Sequence, residues 1–273
     1  MKKLYLLLIC SLFSFSVFAQ DNAAGQGEEE METDRPGVGD AASVVPQGAL
    51  QVELGLQFKN DETNFISDKE YQLPQALVRY GVLDFLELRL RGQLTHRVID
   101  VTNVTLAENR STDTGFDGFM LGAKLQLLKN DGARPAVALQ ADFQLPVGDE
   151  TLKPDNVLPK LRLNFKNDLN DAFSLHYNLG VEWEEEFDPT TKEESDQFGL
   201  YTLGLLYKIN EDFGVFAEAF GELHEDDMQQ SFDLGMGYRL APNLQLDAYG
   251  GFALSEEAPD YFISAGVSFR LPE

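Results

Sequence analysis

The stretch Phe232–Phe252, FDLGMGYRLAPNLQLDAYGGF, decides how the chain is read. On its first arm Phe232, Leu234, Met236, Tyr238 and Leu240 alternate with Asp233, Gly235, Gly237 and Arg239. After Ala241-Pro242-Asn243, the residues Leu244, Leu246, Ala248, Gly250 and Phe252 alternate with Gln245, Asp247, Tyr249 and Gly251. A repeat of two is the period of a strand, whose successive side chains point to opposite faces. Each arm has one apolar face and one polar or small face, and the Pro-Asn turn makes the pair a hairpin. An arm of about nine residues is also what a tilted strand needs to cross the hydrocarbon of a bilayer.

The same unit recurs on both sides of this hairpin. Alternation predicts strands over Ala49–Phe58, Glu70–Tyr80, Phe85–Thr95, Asp117–Leu128, Pro135–Phe143 and Leu158–Phe165. It continues over Phe173–Glu184, Gln197–Ile209, Phe213–Leu223, the two arms above and Tyr261–Arg270, for twelve in all. Every second connection is a short turn: Gly81–Asp84, Lys129–Arg134, Asn167–Ala172, Asn210–Asp212 and Ala241–Asn243. The connections between are mostly longer and acidic, such as KNDETNFISDKE and EEFDPTTKEESD. Transmembrane barrels have this asymmetry, with short periplasmic turns and longer outer loops.

The two faces differ in chemistry. The apolar face carries essentially no charge, whereas the other collects Glu53, Arg79, Glu87, Arg89, Arg91, Lys124, Asp142, Arg162, Glu182, Glu218, Asp233, Arg239 and Asp247. Water tolerates a stray charge on an exposed sheet face, but hydrocarbon penalises an Arg or Lys at its midplane by about 2–4 kcal/mol. The expected fold is therefore all-β: a transmembrane antiparallel barrel of about twelve strands, apolar faces to lipid and the charged residues lining the lumen. A soluble sandwich is the competing arrangement, and it would have to pack the apolar faces on one another.

Residues 1–19, MKKLYLLLICSLFSFSVFA, join two lysines to an apolar run and read as a secretory signal peptide. Residues 20–48 are expected to form a flexible acidic segment, and 49–271 the barrel. The single cysteine, Cys10, lies in the signal region, so no disulfide framework is expected. A formal net charge of −25 excludes nucleic acid as a partner, because phosphate binding needs a basic face.

No cofactor motif and no catalytic residue stand out. His96 and His224 fall where strands meet outer loops, near Asp100, Glu222, Asp226 and Asp227, and read as polar residues at the bilayer edge. His176 shares a strand face with Ser174 and Asn178, which does not make a triad. The acidic run Glu222, Glu225, Asp226, Asp227 lacks EF-hand spacing, so no metal site is expected.

The lumen is more informative. Arg79, Arg89 and Arg91 lie close to Glu53 and Glu87, and charges in a narrow lumen must be paired or hydrated. They form either an ion-pair brace or a charged constriction that selects solutes. Phe216, Phe220, Tyr249 and Phe262 also point inward, as an apolar pocket or as filling. Eight strands leave a filled interior and sixteen an aqueous pore. A twelve-stranded lumen has room for residues 20–48 as a plug.

At Thr33-Asp34-Arg35-Pro36, followed by PQGALQVELG from Pro46, the sequence resembles a bacterial family of outer-membrane channels named for the MetA pathway of phenol degradation. Ala76–Leu90, with Arg79-Tyr80-Gly81 and Glu87-Leu88-Arg89, is similar to the second hairpin of that family. The resemblance implies a passive channel for small solutes, hydrophobic or aromatic compounds among them, in the outer membrane of a Gram-negative bacterium. Both termini would be periplasmic. Its partners would be outer-membrane lipid and lipopolysaccharide, the outer-membrane assembly machinery and the solute. A structural or adhesive barrel with an occluded lumen, or a barrel-borne hydrolase, are the alternatives.

Overall fold

The computed structural model describes residues 30–271, apart from 64, 104–105, 132–133, 186–195 and 226. The expected signal peptide over 1–19, the start of the acidic segment, Asp226 and most of EEFDPTTKEESD lie outside the described residues. Twelve strands form: β1 (Leu50–Glu62), β2 (Ile66–Leu83), β3 (Leu86–Asn103), β4 (Leu106–Leu128), β5 (Ala136–Gln144), β6 (Leu158–Asp168), β7 (Phe173–Glu184), β8 (Asp196–Lys208), β9 (Phe213–Leu223), β10 (Met228–Ala241), β11 (Leu244–Ala253) and β12 (Tyr261–Leu271). Each pairs antiparallel with its neighbours in sequence, and β12 returns to β1 with Val52 opposite Phe269, which closes the barrel and leaves no sheet edge.

Burial is the reverse of that in a soluble protein. Arg79 and Lys124 have 0% of their surface exposed, while Leu56 and Leu88 on the opposite faces of their strands expose 52%. The apolar side chains find no second sheet to pack against, so the sandwich is excluded and hydrocarbon is their solvent. Aromatic pairs mark both ends of the apolar band. Phe165 stacks on Tyr177 and Phe173 on Tyr207 near the short turns, and Phe58 meets Tyr71 and Tyr261 toward the other end. Such girdles sit at the two membrane–water interfaces of transmembrane barrels.

Three strands run further than alternation of apolar residues predicts. Residues 66–69 and 96–103, expected as loop, continue β2 and β3, and β4 starts at Leu106 rather than Asp117. Here Val98 pairs with Thr112 and His96 with Thr114, and Arg97 clasps Asp68 across the ladder at 3.0 Å. β-Branched residues and cross-strand ion pairs sustain a sheet without one greasy face, so β2–β4 continue past the ends of their apolar alternation. KNDETNFISDKE is accordingly a hairpin tip, not a long loop. The ladder slips on both sides of β2 between Gln72 and Gln75, because Pro74 has no N–H to give.

An outward residue near the middle of a strand tests the solvent directly. Leu234→Arg, at a side chain 56% exposed on β10, is expected to lower folding stability by about 2–4 kcal/mol. Thr112→Arg on the extended part of β4 should change it by no more than about 0.5 kcal/mol. Urea titration of the protein folded into liposomes measures both.

Candidate functional site in the lumen

Residues 30–48 run inside the barrel. Glu30 meets Lys208 and Arg239 at the short-turn end; burial opposes its charge, but the two cations win and lower its carboxyl pKa. Glu32 pairs with Lys166. The chain then climbs to mid-barrel at Arg35–Asp40 and returns, Val45 donating to Glu87 at 2.8 Å and Gln47 bridging to Gly81 beside the first short turn. β1 starts there, so the segment is a re-entrant loop that touches nearly every wall.

Asp34 and Arg35 hold neighbouring stretches of the wall. The Asp34 carboxylate accepts from Arg89 at 2.6 Å and from Lys124 at 2.9 Å, with Arg79 at 3.4 Å. Glu53 receives the backbone N–H groups of Asp34 and Arg35 at 3.0 and 3.1 Å and also binds Arg79 at 3.0 Å. Glu87 links Arg79 and Arg89, at 2.9 Å to each. The Arg35 guanidinium turns toward β11 and β12, next to β1. It donates to Asp247 at 2.9 Å and Ser264 at 3.0 Å and lies 5.5 Å from the centre of the Tyr249 ring. Its slot is made by Gly55 and Gly266, cross-strand partners at which any Cβ would collide with the guanidinium. Thr33 receives Gln245 at 2.9 Å. After Pro36, Gly37 turns the chain with φ +104°, a conformation that L side chains rarely adopt.

Beyond the turn, Glu218 accepts from Val38 N–H at 2.8 Å and Gly39 N–H at 3.2 Å. Asp40 is held by Gln140 at 2.9 Å and Arg162 at 3.1 Å, and its backbone exchanges two hydrogen bonds with Asn178. Arg162 continues to Glu182 at 2.8 Å. Asp142 lies 3.5 Å from Arg89, whereas Asp233 is buried with no hydrogen-bond partner on either carboxylate oxygen among the described residues.

The inward side chains singled out by sequence thus fall into three groups. Glu53, Arg79, Glu87, Arg89, Lys124, Arg162, Glu218 and Asp247 touch the segment or support residues that do. Arg239 sits at the mouth, and Arg91 stands apart, 3.7 Å from Asp40. Phe216, Tyr249, Phe262 and Phe220 form one chain of ring contacts with centroids 6.0–6.4 Å apart. Above the segment, on the long-connection side, lies a cavity of about 430 Å³.

Asp40, Gln140 and Asn178 were not read from the sequence. Their one signal is that Ala41-Ala42-Ser43-Val44-Val45 is too apolar for a solvated tether. Among the described residues, His96 meets the Thr114 hydroxyl at 2.6 Å, while His224 lies 3.3 Å from Glu222 and stacks on Phe198. Among the described residues no three acidic or histidine side chains could hold a metal.

The family described as "Putative MetA-pathway of phenol degradation" matches residues 33–271. Comparison with curated proteins finds no match. Among solved structures, an outer membrane channel from Pseudomonas putida F1 superposes with TM-score 0.65 at 14% identity, covering 91% of this chain and 100% of that one. The NanC porin gives 0.51 at 10%, covering 81% and 100%. The transport unit of the autotransporter AIDA-I from Escherichia coli gives 0.52 at 10%, covering 82% and 90%. At these identities the likeness is one of fold.

Asp34→Asn leaves Arg79, Arg89 and Lys124 short of an anion, a loss of about 3–5 kcal/mol for a broken buried pair. In a Val44→Cys background, where the thiol is buried by the docked segment, Asp34→Asn should speed labelling by a water-soluble maleimide at least tenfold. Gly55→Ala, which keeps every charge but takes the space of Arg35, is expected to do the same. Unchanged labelling in both would show that these contacts do not hold the segment.

Proposed function

Given that the chain belongs to the family described as the MetA pathway of phenol degradation, we propose that it is a passive outer-membrane channel for small solutes, closed at rest by its own N-terminal segment. The observation that carries this reading is the arrangement along the axis: a cavity on the long-connection side, then a segment held by hydrogen bonds and ion pairs to the wall together with the burial of Ala41, Ala42, Val44 and Val45. None of these contacts is covalent, and the polar ones can be exchanged for water when the loop moves, so the path opens without covalent change or an energy source. Solute flow is diffusion down a gradient. The rings of Phe220, Tyr249 and Phe262 at the cavity favour hydrophobic or aromatic solutes.

The short turns and both termini lie in the periplasm in this reading, and the extended ends of β2–β4 stand outside the cell. The apolar band meets outer-membrane lipid, with lipopolysaccharide in the outer leaflet, after insertion by the outer-membrane assembly machinery. The density of buried ion pairs around Asp34 also suits a second reading, a structural barrel whose lumen never opens. A hydrolase has no support in the surroundings of His96 or His224.

Conductance in planar bilayers separates these readings. The protein without residues 20–48 is expected to show single-channel conductance several-fold above that of the mature full-length chain, and faster solute-driven swelling of liposomes. Equal conductance from both forms would remove the segment as the gate, and the absence of conductance from both would leave the occluded barrel.

A further inference from the structure

We propose that the cavity above the segment is a binding site for small aromatic monocarboxylates, the ring lying against Phe220, Tyr249 and Phe262 and the carboxylate on Arg91. This deepens the channel reading and rests on it only for the direction of transport. The cavity, about 430 Å³, falls within the range of small-molecule sites, ~300–1,000 Å³. Its walls are unlike. On the β9–β12 side Phe262 lies 6.0 Å from both Phe220 and Tyr249, edge-on to the latter, and all three rings border the cavity. A flat aromatic solute packs on such a surface edge-to-face or offset.

On the β3 side is Arg91, and its situation differs from that of every other arginine in the network. Arg79, Arg89 and Arg162 each hold two or more carboxylates with at least one at 3.0 Å or less. Arg91 has 40% of its side chain exposed and no hydrogen-bond partner among the described residues. Its nearest carboxylate, Asp40 at 3.7 Å, already accepts from Gln140, Arg162 and Arg89 at 2.9, 3.1 and 3.4 Å. A planar guanidinium with free donors takes a carboxylate in a two-point grip.

Of the anions in the lining, Asp34, Asp40 and Glu53 are each paired with cations described above, and Glu222 stands on β9, across the barrel from β3. A neutral hydrocarbon would use the rings but strip water from Arg91 with nothing in return, and a small aliphatic acid would use Arg91 and leave the rings uncovered. Only a molecule with both features satisfies both walls.

The test is binding to the mature full-length protein refolded in detergent micelles, measured by calorimetry with benzoate, benzyl alcohol and acetate as probes. Benzoate is expected to bind at least tenfold more tightly than either of the others. Arg91→Gln, which breaks no hydrogen bond in the fold, should bring benzoate down to the level of benzyl alcohol and leave benzyl alcohol unchanged. Phe220→Ala should weaken both ring compounds. Benzoate bound no better than benzyl alcohol, or unaffected by Arg91→Gln, would overturn the assignment. Binding is read without flux, so benzoate binding in a protein that never conducts would overturn the channel reading alone, and conductance without benzoate preference this assignment alone.

Discussion

Three buried cations, Arg79, Arg89 and Lys124, share one patch of the inner wall, and the structure depends on how they are paired. Arg79, Arg89 and Lys124 are fully or almost fully buried, and the wall itself offers them Glu53 and Glu87 at close range. An uncompensated buried ion costs several kcal/mol even after relaxation. Asp142 of β5 lies 3.5 Å from Arg89, and Asp34, from outside the barrel wall, comes within 3.4 Å of all three cations. The N-terminal segment is thus not merely accommodated in the lumen; its carboxylate is part of how the buried cations are paired.

The same logic explains the neighbouring residue. The stretch β9–β11 carries Glu218, Asp233 and Asp247, and Arg35 reaches Asp247. Two adjacent residues of opposite sign therefore pair on neighbouring stretches of the wall, Asp34 with the cations of β2–β4 and Arg35 with Asp247 of β11. Pro36 and Gly37 follow because the chain must turn back at once. The hydrogen bonds and ion pairs of Asp34 and Arg35 are polar, so hydration of an opened lumen offsets much of their loss. The buried Ala41, Ala42, Val44 and Val45 have no such compensation, and their burial favours the closed state.

How far the sequence alone led depends on which solvent each face meets. β7 and β9 are legible to the residue, because a lipid-facing strand must be apolar at every second position and Phe173–Glu184 and Phe213–Leu223 are. The upper halves of β3 and β4 are not, since they continue past the ends of the apolar alternation. The inward charges were readable as a set, but their partners were not: Asp34 and Asp40 are ordinary acids in an acidic stretch until the barrel closes around them. Gly55 and Gly266 look like strand glycines of no special role, and only cross-strand register shows them as two halves of the slot for Arg35. Arg91, grouped by spacing with Arg79 and Arg89, proves distinct because it points past the end of the network into the cavity.

The central claim is that the wall charges hold residues 34–45 as firmly as secondary structure would. Hydrogen–deuterium exchange on the refolded full-length protein reads this at the amides of Asp34, Arg35, Val38, Asp40 and Val45, each of which donates to a side chain of the barrel wall. The account predicts protection there comparable to that of the neighbouring strands. Exchange at the rate of an unstructured peptide would contradict it.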